Sequence, residues 1–188
     1  MQSSPSTIYS QNVDKQRILV LGKNRQRIVQ LILSVLKFNN RKCSYSTPSA
    51  EVNDDSPFII IEPSNQNNLL DYHHHILIFS GLSKDEETLY SALADSTPKS
   101  GAIIYDESDS TSSGIAKIQR ADVAASPYAA LKHEMQNGLA VLITSTKEKY
   151  ETRLSTSDDL RNIAAVKDLV KRIGVSSGQF YRAIAALQ

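Results

Sequence analysis

The sequence predicts an α/β fold: a mostly parallel sheet flanked by helices, with a small extra β segment in the C-terminal half. Three observations carry this reading. Short continuous apolar runs recur at 18–21, 57–62, 75–79 and 101–105, as in strands covered on both faces. The segments between the first and second runs, and between the third and fourth, carry helical spacing and cap signals. Strands alternating with helices point to parallel pairing through right-handed crossovers.

Each element has its own justification. Ile18, Leu19, Val20 and Leu21 form the first strand. Ile28, Leu31, Ile32, Val35 and Leu36 then fall on one helical stripe. Residues 39–56 are polar and rich in turn formers. Pro63 ends the second strand because it removes a ladder donor. Ser83 followed by Asp85, Glu86 and Glu87 marks a helix start, since a hydroxyl caps and acids complement the dipole. That helix stops before Pro98. Residues 106–114 read as an acidic, serine-rich loop. Residues 115–156 hold two or three short strands, clearest at 139–144, while 124–137 is either a helix or a loop with extended pieces. Asp158 or Asp159 caps a helix that ends at Gly174, and Ser176 or Ser177 caps a last short helix. No internal repeat is visible.

Composition narrows the possibilities. A chain of 188 residues supports one α/β domain with a sizeable core. Residues 1–15 read as a flexible N-terminal tail and 16–188 as the domain. The formal net charge of +1 implies no nucleic-acid partner and no membrane partner. No apolar run approaches a membrane span, and residues 1–12 lack an apolar signal core, which favours the cytoplasm. Cys43 is the only cysteine, so no internal disulfide forms and its expected role is a partly buried small side chain.

The region with most chemical content is the turn after the first strand. A buried strand runs into Gly22, then Lys23, Asn24, Arg25, Gln26 and Arg27, then an amphipathic helix. A phosphate-binding loop has this layout, but it needs further glycines, a lysine and a serine or threonine. Here those chemical groups are missing. Parallel topology places the residues that follow the strands, Gly22, Glu62, Ser80 and Asp106, along one edge of the sheet, where ligands bind in such folds.

The order of segments resembles the central, ATP-binding domain of the Mur ligases, which join amino acids or peptides to the muramyl precursor of peptidoglycan. The resemblance covers residues 16–188. The family's phosphate loop, Gly-Thr-Asn/His-Gly-Lys-Thr-Thr, falls on residues 22–28. Its strand ending in a magnesium-binding glutamate resembles residues 58–62. Its strand, Thr-Asn and Asp-His-Leu-Asp stretch resembles 76–87. Its helix, glycine, strand and Asn-Ala-Asp-Asp stretch resembles 89–108. Its late Asn-containing helix and Leu-Gly-Ile resemble 158–166 and 173–175.

The departures from that pattern decide what the resemblance implies. Gln26 stands at the phosphate-loop lysine, Arg27 at the magnesium-binding hydroxyl and Arg25 at the second glycine. Tyr105 replaces an adenine-contacting asparagine, and the family's histidine after the third strand falls near Asp85. Gly22, Asn24, Glu62 and Asn162 survive. The resemblance therefore implies a vestigial nucleotide site at Gly22, Lys23, Asn24, Arg25, Arg27, Glu62 and Asn162, with no catalytic residue, metal or cofactor. It implies a bacterial, cytoplasmic pseudoenzyme with ties to peptidoglycan synthesis, whose partner is another protein or an anionic small molecule. The alternative is a nucleotide- or anion-binding module that uses the Lys23–Arg27 loop. An enzyme of different chemistry around Glu62, Asp85 and Asp106 is a third reading.

Other constellations carry less. His73, His74 and His75 sit at a strand entry, where neighbouring side chains alternate in direction, so local polar exposure is expected over zinc. His133 and Glu134 lack the HExxH spacing, because Asn137 stands where the second histidine belongs. Residues 106–109 lack the alternate ligands and glycine of a calcium loop. No Gly-x-Ser-x-Gly elbow follows a strand.

Overall fold

The apolar runs become the centre of a large sheet in a computed structural model of the chain, which describes residues 2–117 and 120–187. The elements in chain order are α1 (Pro5–Gln11), β1 (Gln16–Leu21), α2 (Arg25–Phe38), β2 (Ser44–Ser46), β3 (Glu51–Val52), β4 (Phe58–Ile61), β5 (Ile76–Phe79), α3 (Glu87–Ser96), β6 (Ala102–Asp106) and α4 (Ser110–Ala116). They continue with β7 (Ala124–Tyr128), β8 (His133–Gln136), β9 (Leu139–Ile143), β10 (Lys149–Thr152), α5 (Ser157–Arg172) and α6 (Ser177–Ala186). Two 3₁₀ turns, Leu69–Tyr72 and Lys84–Glu86, lead into β5 and α3.

Among the described residues the main sheet has seven strands in the order β3-β2-β4-β1-β5-β6-β7. Every pairing in it is parallel except the short β2–β3 ribbon. A separate antiparallel sheet runs β10-β9-β8. This is the mostly parallel sheet with a small extra β segment that the sequence predicts.

Strand alternation sorts side chains to the two faces. Ile18, Val20, Ile60, Ile78 and Ile104 face α2, α5 and α6, and the small sheet joins the same core through Ala140 and Leu142. Leu19, Leu21, Ile61, Leu77, Phe79 and Ile103 face the opposite layer, which α1, the Leu69–Tyr72 turn, α3 and α4 supply. With both faces covered, a polar residue anywhere in these runs would be stranded, which is why they read as unbroken apolar segments.

Several expectations need correction. The N-terminal tail is not loose: residues 5–11 form α1, capped by Ser4, and Ile8 is buried in the second core. Residues 39–56 include β2 and β3 as well as turns. The acidic loop ends in α4, because the Asp109 carboxylate accepts from the Thr111 N–H and caps the helix. Of the two readings of residues 124–137, a helix or a loop with extended pieces, the second holds, with β7 and β8 as the extended pieces. Pro127 sits in an edge strand, the sheet position that tolerates a missing donor. The cap of α5 is Thr156, one turn earlier than Asp159. The expected cap of α6 holds: of Ser176 and Ser177 it is Ser176, in a reciprocal capping box with Gln179.

Candidate functional site

The carboxyl ends of β1, β4, β5 and β6 lie side by side, which gathers the loops holding Gly22, Glu62, Ser80 and Asp106. Gly22 has φ of +101°, and a Cβ there would sit 2.0 Å from the Ser80 carbonyl oxygen. Only glycine fits this close approach of two backbones.

The turn itself is short and closed. The Lys23 N–H donates to the Gly81 carbonyl at 3.2 Å, the Asn24 N–H to the Ser80 carbonyl at 3.5 Å and the Arg25 N–H to the Gly22 carbonyl at 3.3 Å. The Asn24 side-chain amide donates to Ser80 Oγ at 3.3 Å. The first two backbone bonds tie the β1 turn to the β5 turn, and the third closes the β1 turn on itself. The Lys23 side chain lies flat over Gly81, within 2.7 Å of where a Cβ would stand.

The cations act on protein groups. Arg25 Nη1 donates to the Gly22 carbonyl at 3.2 Å, and its Nε lies 4.0 Å from Glu62 Oε1. Glu62 has only 8% of its side chain exposed. Burial raises the affinity of its carboxyl for a proton, and Arg25 opposes that shift. Arg27 reaches across to α5, pairing with Asp159 at 3.3 Å. Arg161 stands 3.9 Å from Asp106 and donates to Ser108 Oγ at 2.8 Å. Beside the turn lies a cavity of about 370 Å³ lined by Lys23, Arg25, Gln66, Ser83, Glu86 and Tyr90.

Gly22, Lys23, Asn24, Arg25 and Glu62 therefore converge. Arg27 joins them only through the start of α5. Asn162 is on the buried side of α5 with 2% exposure, and its Oδ1 has no hydrogen-bond partner. Gln26 is exposed. Tyr105 is a core residue at the end of β6. Asp85 is exposed in its 3₁₀ turn. Asp106 is held by the Ser108 N–H at 2.9 Å and its hydroxyl at 2.6 Å.

The magnesium ion that the resemblance implies does not fit these residues. A guanidinium stands beside Glu62 where a divalent cation would bind, and Arg27 brings no oxygen ligand. Among the described residues no cluster of three His, Cys, Asp or Glu could hold a metal. The histidine triplet is not uniformly exposed. His74 is buried at 1% exposure, 3.0 Å from the Thr97 hydroxyl, and burial pushes it down to about 4. His75 Nδ1 accepts from the Arg17 N–H at 3.1 Å. Cys43 is half-buried, and burial pushes its thiol up to about 12, far from a reactive thiolate.

Sequence reasoning missed the cross-links among loops: Ser80 and Gly81 as acceptors, Asp159 as the partner of Arg27, and Gln2 against the Glu62 strand. The two consecutive small residues after β5 were a visible signal for the first; the others are long-range pairings with no local signature.

Comparison with solved structures identifies the fold. The chain is similar to the UDP-N-acetylmuramate:L-alanyl-gamma-D-glutamyl-meso-diaminopimelate ligase of Neisseria meningitides, with TM-score 0.79, 14% identity, and coverage of 98% of this chain and 70% of that one. It is similar to MurF of Acinetobacter baumannii, with TM-score 0.74, 11% identity, and coverage of 98% and 48%. Folylpolyglutamate synthetase from Lactobacillus casei follows at TM-score 0.68, 10% identity, and 97% and 66% coverage. The chain thus spans 48% to 70% of the length of these enzymes. No protein-family model matches the sequence, and no curated protein matches it by sequence. The chain has the fold of the Mur ligase central domain. Among the described residues no helix is long and apolar enough to cross a membrane.

Proposed function

We propose that this chain is a non-catalytic Mur-ligase-like domain, a pseudoenzyme of the cytoplasm that acts by binding. One observation carries the reading. The amides of Lys23, Asn24 and Arg25 are engaged by the carbonyls of Gly81, Ser80 and Gly22, and the Arg25 Nε lies 4.0 Å from Glu62 Oε1, which sets a cation of the chain itself beside that carboxylate. A triphosphate needs both positions open, since catalysis of its transfer depends on amide, lysine and magnesium contacts to the phosphates. The tie to peptidoglycan synthesis is supported by the names of the similar ligases, which act on UDP-N-acetylmuramate and murein peptides.

Titration calorimetry with magnesium-ATP tests this proposal. No heat of binding at millimolar nucleotide is expected, and no ATP hydrolysis. Nucleotide turnover that disappears in Glu62→Gln would overturn it. The alternative, an anion-binding module at Lys23–Arg27, would instead show thermal stabilisation by phosphate that is lost in Arg25→Ala.

A further inference from the structure

β2 and β4 run in parallel, with Ser46 opposite Ile61, and the Glu62 N–H donates to the Ser46 carbonyl at 2.9 Å. β2 then leaves the ladder. The Thr47 N–H donates to the Ala50 carbonyl at 2.9 Å, turning the chain back into β3. The next ladder position beside β4 has no strand, yet the Glu62 carbonyl and the Ser64 N–H still need partners.

The side chain of Gln2 supplies both. Its Nε2 donates to the Glu62 carbonyl at 2.9 Å and its Oε1 accepts from the Ser64 N–H at 2.8 Å. One residue of a parallel neighbour strand would offer the same donor and acceptor around Pro63, which itself has no N–H. Ser3 follows the same line: its N–H and hydroxyl donate to the two Glu51 carboxylate oxygens, each at 2.8 Å. Ser46 Oγ links the two ends, accepting from Gln2 at 2.9 Å and donating to Glu51 at 2.9 Å. The rim continues into a cavity of about 170 Å³ whose walls include Ser46, Glu51, Ile8, Val52 and Asn12. Asn12 is buried, and its Oδ1 has no hydrogen-bond partner. Gln2 and Ser3 remain half-exposed.

We propose that Ser46, Glu51, Glu62 and Ser64 form a recognition rim for an extended peptide of another protein, one carrying an amide side chain followed by a hydroxyl residue, and that Gln2 and Ser3 are its built-in, displaceable occupant. Addition of a peptide to an unfilled sheet position is a known recognition mode, with backbone groups giving affinity and side-chain pockets giving specificity. The proposal rests on the reading of the chain as a binding protein and names the chemistry of what it binds.

The test uses the full chain and a fluorescein-labelled, end-blocked peptide Gln-Ser-Ser-Pro-Ser-Thr, copied from residues 2–7. Fluorescence anisotropy is expected to show at least tenfold tighter binding to Gln2→Ala than to the unaltered chain. Adding Glu51→Gln is expected to weaken it again about tenfold, and a peptide with Leu in place of Gln is expected not to bind. Hydrogen exchange at the Ser64 amide should speed up in Gln2→Ala and slow again with peptide. Equal binding to both chains, no binding to Gln2→Ala, or binding that survives the Leu-for-Gln change overturns the proposal. If Gln2→Ala does not fold, excess peptide on the unaltered chain decides: exchange of the Gln2 side chain for peptide supports it, and an undisturbed Gln2 amide signal overturns it. Magnesium-ATP turnover in the same preparation would sink the non-catalytic reading without touching these outcomes, so the two failures are separable.

Discussion

His74 shows how one residue can set a pH limit for the whole chain. It is buried against Thr97, and desolvation, with the nearby charges of His75, Arg17 and His73, holds its pKa near 4 against an ordinary 6.5. A histidine whose folded pKa is depressed is protonated more readily in the unfolded chain. Its stabilising contribution is therefore complete above about pH 6.5 and is lost as the pH falls toward 4. The loss amounts to about 3 kcal/mol at most, since each tenfold change in proton affinity is worth about 1.4 kcal/mol. Urea melts between pH 7 and pH 4 should show this decline, with a shallower slope in His74→Gln. His75, also pushed down by burial and Arg17, leaves a smaller residual slope. An equal slope in the variant would exclude His74 as the source. The same residue marks where sequence reading reached its end. Three histidines in a row look solvated, and only the packing of α3 behind β5 shows that the middle one is enclosed.

At the scale of elements, helix boundaries follow caps, and the caps were partly legible. Gly174 stands where the chain pattern places it, with φ of +87° just past α5, whereas Ser83 caps the 3₁₀ turn Lys84–Glu86, its Oγ accepting from the Asp85 N–H, and α3 itself starts at Glu87 without a side-chain cap. The start of α5 shows the opposite case. Thr156, Asp158 and Asp159 are all plausible caps by residue type. The structure selects Thr156, whose hydroxyl accepts from the Asp159 N–H, because Asp159 is drawn toward Arg27 on α2. Thr156→Ala should cost about 1 kcal/mol and lower the melting temperature by roughly 2–4 °C for a chain of this size. Circular dichroism melts check this. An unchanged melting temperature would mean that Asp158 or Asp159 takes over the cap. Short elements escaped notice for a related reason. β2, β3 and α4 bury too few residues to show a period, and their stability comes from the longer elements they lie against.

For the molecule as a whole, the arrangement of layers governs behaviour. Ala140 and Leu142 of the small sheet belong to the same buried cluster as α5, α6 and the central strands. A core shared by the small sheet and the central strands predicts one cooperative unfolding event. Scanning calorimetry should show a single transition with equal calorimetric and van't Hoff enthalpies. Two separated peaks would mean that the small sheet melts on its own. The same architecture explains why a cleft exists at the carboxyl ends of the strands. Parallel strands with right-handed crossovers send their following loops to one edge.

The sequence by itself determined the layers. Unbroken apolar runs, a helical stripe and glycine after β1 leave few alternatives to a doubly covered parallel sheet, because each of these signals is local and repeats with the period of its own element. The residue types after β1, Gln26 and Arg27 where a phosphate loop carries a lysine and a hydroxyl, were equally legible. Tertiary structure alone decided how that turn is held. The closure of the β1 turn onto Ser80 and Gly81, the placement of Arg25 beside Glu62, and the Gln2 amide on the edge of β4 join residues up to 62 positions apart. Hydrogen bonds and ion pairs of that kind leave no period in a sequence; they exist only once the sheet has brought the distant loops to one edge.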